Sequence, residues 1–190
     1  MAEKKLNLGC GEDKKRGFIN LDWNKIVEPD VVHDLNLLPY PFSDNEFDLI
    51  NASHILEHLE KPFAIMKELH RILKPNGKLI VKVPHFSRGF THTEHAHGFD
   101  ITFPLYFNKN FTKSGYFGVD FFLERKKMTW MAFVHLLPFM GYGKFAILLI
   151  KIMNKLISFL ANLAPNFCSR IWCFWIGGFD EIKFEFICKK

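Results

Sequence analysis

Three groups of residues have the types and spacing to do chemistry. The first is Gly9-Cys10-Gly11, which closes the apolar-alternating run from Lys4 to Leu8. Glycines at the end of a first strand let backbone approach a ligand closely, because no side chain stands in the way. The second is a pair of acids that end short strands: Asp22 after Phe18 to Leu21, and Asp34 after Asp30 to His33. A carboxylate ending the second strand can accept hydrogen bonds from two ribose hydroxyls, and Asp34 is placed to reach the amino group of an adenine. Either acid alone would serve as well as a turn or cap residue; the glycine turn and both acids in this order point to a nucleotide-like ligand. The third group is histidine. His54 and His85 follow the fourth and fifth strands, where ligands sit in open α/β sheets, and imidazoles titrate near neutrality as a general base must. Ser53 or His54 could instead cap the helix that follows. The loop His85 to Asp100 adds His92, Glu94, His95 and His97, side chains that zinc or another divalent metal favours. Tandem histidines on a loop rarely suffice without ordered outer partners, so the expectation is no metal.

The elements that must position these residues follow from periodicity. Phe47 to Asn51 reads as a fourth buried strand. Ile55, Leu56, Leu59, Phe63, Ile65, Met66, Leu69, Ile72 and Leu73 then recur at helical spacing. Pro62 marks a new helix start there, and Lys74-Pro75-Asn76-Gly77 stops it. Glu57 and His58 fall on the first helical turn, where a structural or cofactor-edge role is expected. Lys78 to Val83 is a fifth strand, Phe107 to Ser114 a short helix, Val119 to Arg125 an edge strand and Glu181 to Cys188 a final strand. Strands alternating with helices make a parallel sheet covered by helices. Only ten residues separate Gly11 from Asp22, so Glu12 to Arg16 supplies at most one helical turn.

With 190 residues the chain suffices for one well-buried domain and an elaboration, and 24% charged against 48% hydrophobic residues places it among globular proteins. The net charge of +5 permits an anionic partner without selecting one. Cys10, Cys168, Cys173 and Cys188 lack C-x-x-C spacing, and the N-terminus shows no signal-peptide pattern, so a reducing cytoplasm is expected.

The segments Leu6-Asn7-Leu8-Gly9-Cys10-Gly11, Gly17-Phe18-Ile19-Asn20-Leu21-Asp22, His33-Asp34-Leu35, Leu38-Pro39-Tyr40-Pro41-Phe42, Phe47-Asp48-Leu49-Ile50, His54-Ile55-Leu56-Glu57-His58-Leu59 and Leu73-Lys74-Pro75-Asn76-Gly77-Lys78-Leu79 together resemble class I S-adenosylmethionine-dependent methyltransferases. Within that family they resemble a methyltransferase type 11-like branch often associated with cell-surface glycan synthesis. The likeness covers Lys4 to about Phe111. It implies an α/β, Rossmann-like sheet, mostly parallel with its last strand antiparallel, and S-adenosylmethionine as cofactor. It further implies that Asn7, Gly9, Cys10 and Gly11 line the methionine and ribose, that Asp22 and Trp23 meet the ribose, that Asp34 and Leu35 flank the adenine, and that Asn51, Ser53 and His54 close the methyl end. Related enzymes carry a Thr-His pair in the histidine loop, which makes His95 and His97 substrate-loop residues. The catalytic candidates are therefore His85, His54 and His95. Two departures stand out: the missing helix after Gly11, and the lack of a helix before the first strand, which leaves the usual lid to be supplied elsewhere.

Residues 1–128 and 176–190 account for the methyltransferase domain, and 129–175 form a hydrophobic helical insert between the last two strands. Within it Lys144 to Leu163 is an amphipathic helix, with Phe145, Leu148, Leu149, Ile152, Met153 and Leu156 on one side and Lys151, Lys155, Ser158 and Asn162 on the other. Its central lysines argue against a bilayer span. Three roles fit the insert: a lid, a membrane-surface anchor or a homodimer interface. The expected function is methylation of a small molecule, a sugar or a lipid-linked glycan, either free in the cytoplasm or peripheral at the inner face of the membrane. The alternatives are an RNA methyltransferase, disfavoured because no Asn-Pro-Pro-Tyr-type tetrapeptide follows the fourth strand, and a non-catalytic cofactor-binding scaffold.

Overall fold

The computed structural model describes residues 3–89, 92–112 and 115–190. Seven strands form one sheet: β1 (Lys5–Leu8), β2 (Ile19–Asp22), β3 (Val31–Val32), β4 (Phe47–Ser53), β5 (Leu73–Pro84), β6 (Asp120–Thr129) and β7 (Glu181–Lys189). The order is β3-β2-β1-β4-β5-β7-β6, with β1 to β5 parallel and β7 antiparallel to both its neighbours. This is the expected Rossmann-like sheet. Leu6, Leu8, Ile50, Ala52, Leu79, Val81 and Val83 are all fully buried, as the apolar runs of parallel strands are when both faces are covered.

The helix α1 (Pro62–Ile72) opens with proline at its first turn and buries Ile65, Met66, Leu69 and Ile72 on one stripe. It ends one residue earlier than the apolar spacing suggests. Leu73 already pairs with Phe47, and the ladder resumes only at Lys78 opposite Leu49, so residues 74–77 loop out of β5 with Asn76 at a φ of 62°. Glu57 and His58 lie on a separate 3-10 turn, Leu56–His58, whose cap is Ile55 with no side-chain hydrogen bond; neither Ser53 nor His54 caps it. A helix α2 (Phe86–Gly89) opens the histidine loop. Instead of a helix over 107–114, a 3-10 turn spans Phe103–Phe107, because Phe103, Pro104 and Phe107 are drawn into the core; residues 113–114 lie outside the described residues.

The insert leaves β6 at its C-terminal end and returns at the start of β7, so both its ends stand at the end of the sheet where β1, β4 and β5 finish. It contains α3 (Lys144–Leu163) and α4 (Pro165–Arg170). Along α3 the residues Asn154, Ser158 and Asn162, spaced four apart, face the end of the edge strand β6. Asn162 bonds both the N–H and the C=O of Met128 (2.9 and 2.8 Å), Ser158 accepts from the Trp130 amide (3.0 Å), and Asn154 bonds both backbone groups of Met131 (3.0 and 2.8 Å). These side chains satisfy an edge that would otherwise be open. The polar stripe therefore points inward, and Lys155 stands beside Ser158 and Asn162 on the groove between α3 and β6. Phe145 (81% exposed), Leu148, Leu156, Phe159 and Leu163 point outward.

Candidate functional site

The glycine turn closes β1 in a left-handed conformation, with φ of 61° at Gly9 and 47° at Gly11. A Cβ at Gly9 would stand 2.6 Å from the Ile55 side chain, so only glycine fits there. Beside Gly11 nothing lies within 4 Å of that position, which leaves its backbone open to a ligand. The Gly11 amide donates to one carboxylate oxygen of Asp22 (2.8 Å), and the Asn24 amide donates to the other (2.9 Å). Asp22 is only 7% exposed, and each oxygen keeps a lone pair. Two remaining acceptor positions beside an open glycine suit the vicinal hydroxyls of a ribose, so these residues fit the implied cofactor. Trp23 lies exposed just beyond Asp22. Asp34 is exposed with one oxygen accepting from the Asn36 amide (2.9 Å), and Leu35 is buried beside it.

The missing helix after Gly11 is replaced by an asparagine ladder. Asn20, Asn7 and Asn51 are in register across β2, β1 and β4. Asn51 donates to Asn7 (2.9 Å), and Asn7 donates to Asn20 (3.1 Å) and to the Asp13 carbonyl (2.9 Å). Asn20 accepts from the Lys15 amide (2.8 Å). A buried, satisfied network of this kind fixes the short loop that a helix usually holds. Asn7 and Asn51 thus act through the loop. Cys10 is buried beneath the turn, where burial raises its thiol pKa.

His54 follows β4 at a φ of 52°, with its Nε2 3.0 Å from Glu181 and its Nδ1 3.3 Å from Glu57. Burial works to lower its pKa, but the Glu181 hydrogen bond and the Glu57 carboxylate outweigh it and carry the pKa up to about 9. His54 is an imidazolium in this setting, a donor and positive charge, not an acceptor of protons. Phe133, from the root of the insert, lies against it at 5.4 Å between ring centroids. His85 is fully buried, its ring nitrogens engaged by the hydroxyls of Ser87 (2.7 Å) and Ser169 (2.8 Å), and burial lowers its pKa to about 4. The structure places it in the core joining β5 to α4, out of reach of a substrate proton. His95 comes to rest against His58, 4.9 Å between ring centroids. His97 lines a cavity of about 800 Å³ walled by Phe86, Phe99, Phe103 and Tyr106, and its Nε2 is buried with no hydrogen-bond partner among the described residues. This cavity lies beside the histidine loop and not at the glycine turn.

Glu181, Phe133 and Ser169 were not foreseen as site residues. Glu181 is 127 positions from His54 and meets it only because β7 inserts antiparallel next to β5. The insert helix α3 runs along β6, and the parts of the insert that approach the site are its root at Phe133 and α4, whose Ser169 meets His85 and whose Arg170 lines the cavity.

Residues 10–81 match the family model of the methyltransferase domain. The chain is 50% identical to an uncharacterized protein of Methanocaldococcus jannaschii over 48 residues, 25% of this chain and 21% of that one. It is 30% identical to the demethylmenaquinone methyltransferase of Geobacillus stearothermophilus over 76 residues, 40% of this chain and 29% of that one. It thus spans less than a third of the length of these relatives. In fold it is similar to an S-adenosylmethionine-dependent methyltransferase from Archaeoglobus fulgidus (TM-score 0.55, 14% identity, 98% of this chain and 86% of that one). It is similar as well to the [4+2]-cyclase SpnF (TM-score 0.54, 13% identity, 99% and 76%), so the fold alone does not fix the reaction. The sheet order, the glycine turn with Asp22, and the match of residues 10–81 to the methyltransferase domain make the chain similar to the class I S-adenosylmethionine-dependent methyltransferases, and the turn with Asp22 fits their cofactor, S-adenosylmethionine.

Proposed function

We propose that this protein transfers a methyl group from S-adenosylmethionine to an oxygen of a sugar or lipid-linked small molecule, working against anionic lipid at the inner face of the cytoplasmic membrane. The observation that carries the membrane setting is the reversed polarity of α3, whose asparagine stripe faces the domain and whose phenylalanines and leucines face outward. A surface helix of a soluble monomer has the opposite arrangement.

Charge supports the same occupant. Between Arg125 and Phe179 there is no Asp or Glu but there are seven Lys and Arg residues, more than the protein's whole net charge of +5. Arg125, Lys126, Lys127 and Lys155 line a groove of about 550 Å³ between β6 and α3, beside the outward apolar face. Apolar residues flanked by cations are what an interfacial helix presents to acidic headgroups. By length and composition α3 is long and apolar enough to cross a membrane. Its side-chain bonds to Met128, Trp130 and Met131 hold it along the domain, which favours lying in the interface.

When bound, S-adenosylmethionine supplies an electrophilic methyl group. Gly9, Gly11 and Asp22 would hold the methionine and ribose, and Asp34 with Leu35 the adenine. The aromatic cavity would take the acceptor, with His97 Nε2 as its polar contact and the Arg170–Asp100 ion pair near its mouth. Holding the acceptor in line behind the methyl group is worth several kcal/mol. The test is incubation with methyl-labelled S-adenosylmethionine and either a total lipid extract or total RNA. Label partitioning into the organic phase is expected. Label in RNA, or cofactor binding with no transfer to either fraction, overturns the proposal.

A further inference from the structure

Glu57 is fully buried, and among the described residues neither oxygen of its carboxylate has a hydrogen-bond donor. A buried carboxylate costs several kcal/mol unless its charge and its lone pairs are both satisfied, and a cation shared with a second carboxylate meets only part of that cost. Among the described residues the one ion-pair partner of Glu57 is His54 Nδ1 at 3.3 Å, on a ring whose other nitrogen is committed to Glu181. Next to Glu57 on the same 3-10 turn is His58, and opposite stands His95 from the histidine loop. One carboxylate oxygen of Glu57 and one ring nitrogen each of His58 and His95 lie within 4.8 Å of one another. Ligands about 2.1 Å from a common zinc sit roughly 3–4 Å apart, so side-chain adjustment of about 1 Å brings the three into coordination range.

The surroundings of the ligands are ordered. His95 Nδ1 contacts the Gly89 carbonyl, an oxygen that can only accept. The proton is therefore on Nδ1, and Nε2 is left with the lone pair that a metal needs. A backbone carbonyl on the far nitrogen is the usual way a metal-binding histidine is oriented. His92 stacks on His95 at 4.8 Å between centroids, and the Ala96 amide donates to the Glu57 carbonyl (2.9 Å), tying the loop to the turn.

We propose that Glu57, His58 and His95 form a site for one divalent transition-metal ion. Two imidazoles and a carboxylate match zinc best, and three protein ligands leave a fourth position for water or a substrate oxygen. The sequence expectation of no metal rested on the loop histidines alone; two of the three ligands here come from outside that loop. The site stands apart from the acceptor reading and does not depend on it.

The test uses the full chain, stripped with a chelator and titrated with Zn²⁺ in a calorimeter. The wild type takes up one equivalent. His58→Ala and His95→Ala each weaken binding by more than about 100-fold, beyond the loss seen when an outer partner of a ligand is removed. His70→Ala, whose ring lies against Lys189 and Phe121 at the other end of the sheet, leaves it unchanged. An unaltered unfolding midpoint of metal-free His58→Ala, whose side chain is exposed, shows that the variant is folded. Absence of a stoichiometric site in the wild type, or wild-type affinity retained in either histidine variant, overturns the proposal.

Discussion

The Gly11 amide donates to Asp22 across 2.8 Å, coupling the glycine turn of β1 to the acid that ends β2. The bond fixes the carboxylate so that its free lone pairs point beside the open flank of Gly11. Asp22→Ala removes both oxygens and every hydrogen bond they would offer a ribose. Hydrogen bonds to charged groups are worth about 1.5–3 kcal/mol, so cofactor affinity is expected to fall on the order of 100-fold in calorimetry. Equal affinity in variant and wild type would remove the cofactor from this turn.

His85 gives a pH signature in stability. Burial lowers its folded pKa to about 4, against an ordinary value near 6.5. The unfolded chain therefore binds the proton first. Its contribution is complete above pH ~6.5 and is lost as pH falls toward 4, amounting to about 2 kcal/mol by pH 5. His85→Gln, which keeps polar contact with Ser87 and Ser169, is expected to be less stable at pH 7 and to lose less stability between pH 7 and pH 5. Parallel denaturant midpoints for the two proteins across that range would show that His85 titrates normally.

Much of this was legible locally. The alternation in β1 and β7, the stripe of α1 and the span of α3 are all set by neighbours a few residues apart, and so are Gly9, Gly11 and Asp22 at the strand ends. What was not legible depends on distant pairing. His54 looks like a free base until Glu181 arrives from β7, and His85 looks like a cleft residue until Ser169 closes on it from α4. Asn7, Asn20 and Asn51 are three isolated amides until the sheet register aligns them. Helical spacing correctly separated two faces of α3, but spacing alone does not say which face meets the domain.

The inward stripe of α3 is itself testable. Asn162→Leu and Asn154→Leu leave the backbone groups of Met128 and Met131 without their partners, at a cost of about 1–3 kcal/mol each. Both variants are expected to unfold at lower denaturant concentration. If instead α3 packs through its leucines, the leucine variants would be neutral or stabilised.

The outward face should respond to lipid. Each Lys or Arg near an anionic surface contributes about 1 kcal/mol, so Lys127→Glu, Lys151→Glu and Lys155→Glu together are expected to weaken binding to phosphatidylglycerol vesicles by more than 100-fold. Wild-type flotation with those vesicles should fall as salt rises, because screening shortens the reach of surface charge. Neutral phosphatidylcholine vesicles should bind less. A homodimer would cover the same leucines and give a different result: a particle of twice the 22.3 kDa chain mass in light scattering, no flotation, and dissociation on Phe145→Asp or Leu156→Asp. Those two substitutions sit on the exposed apolar face, away from the asparagine stripe, and are expected to abolish flotation while leaving the unfolding midpoint in place.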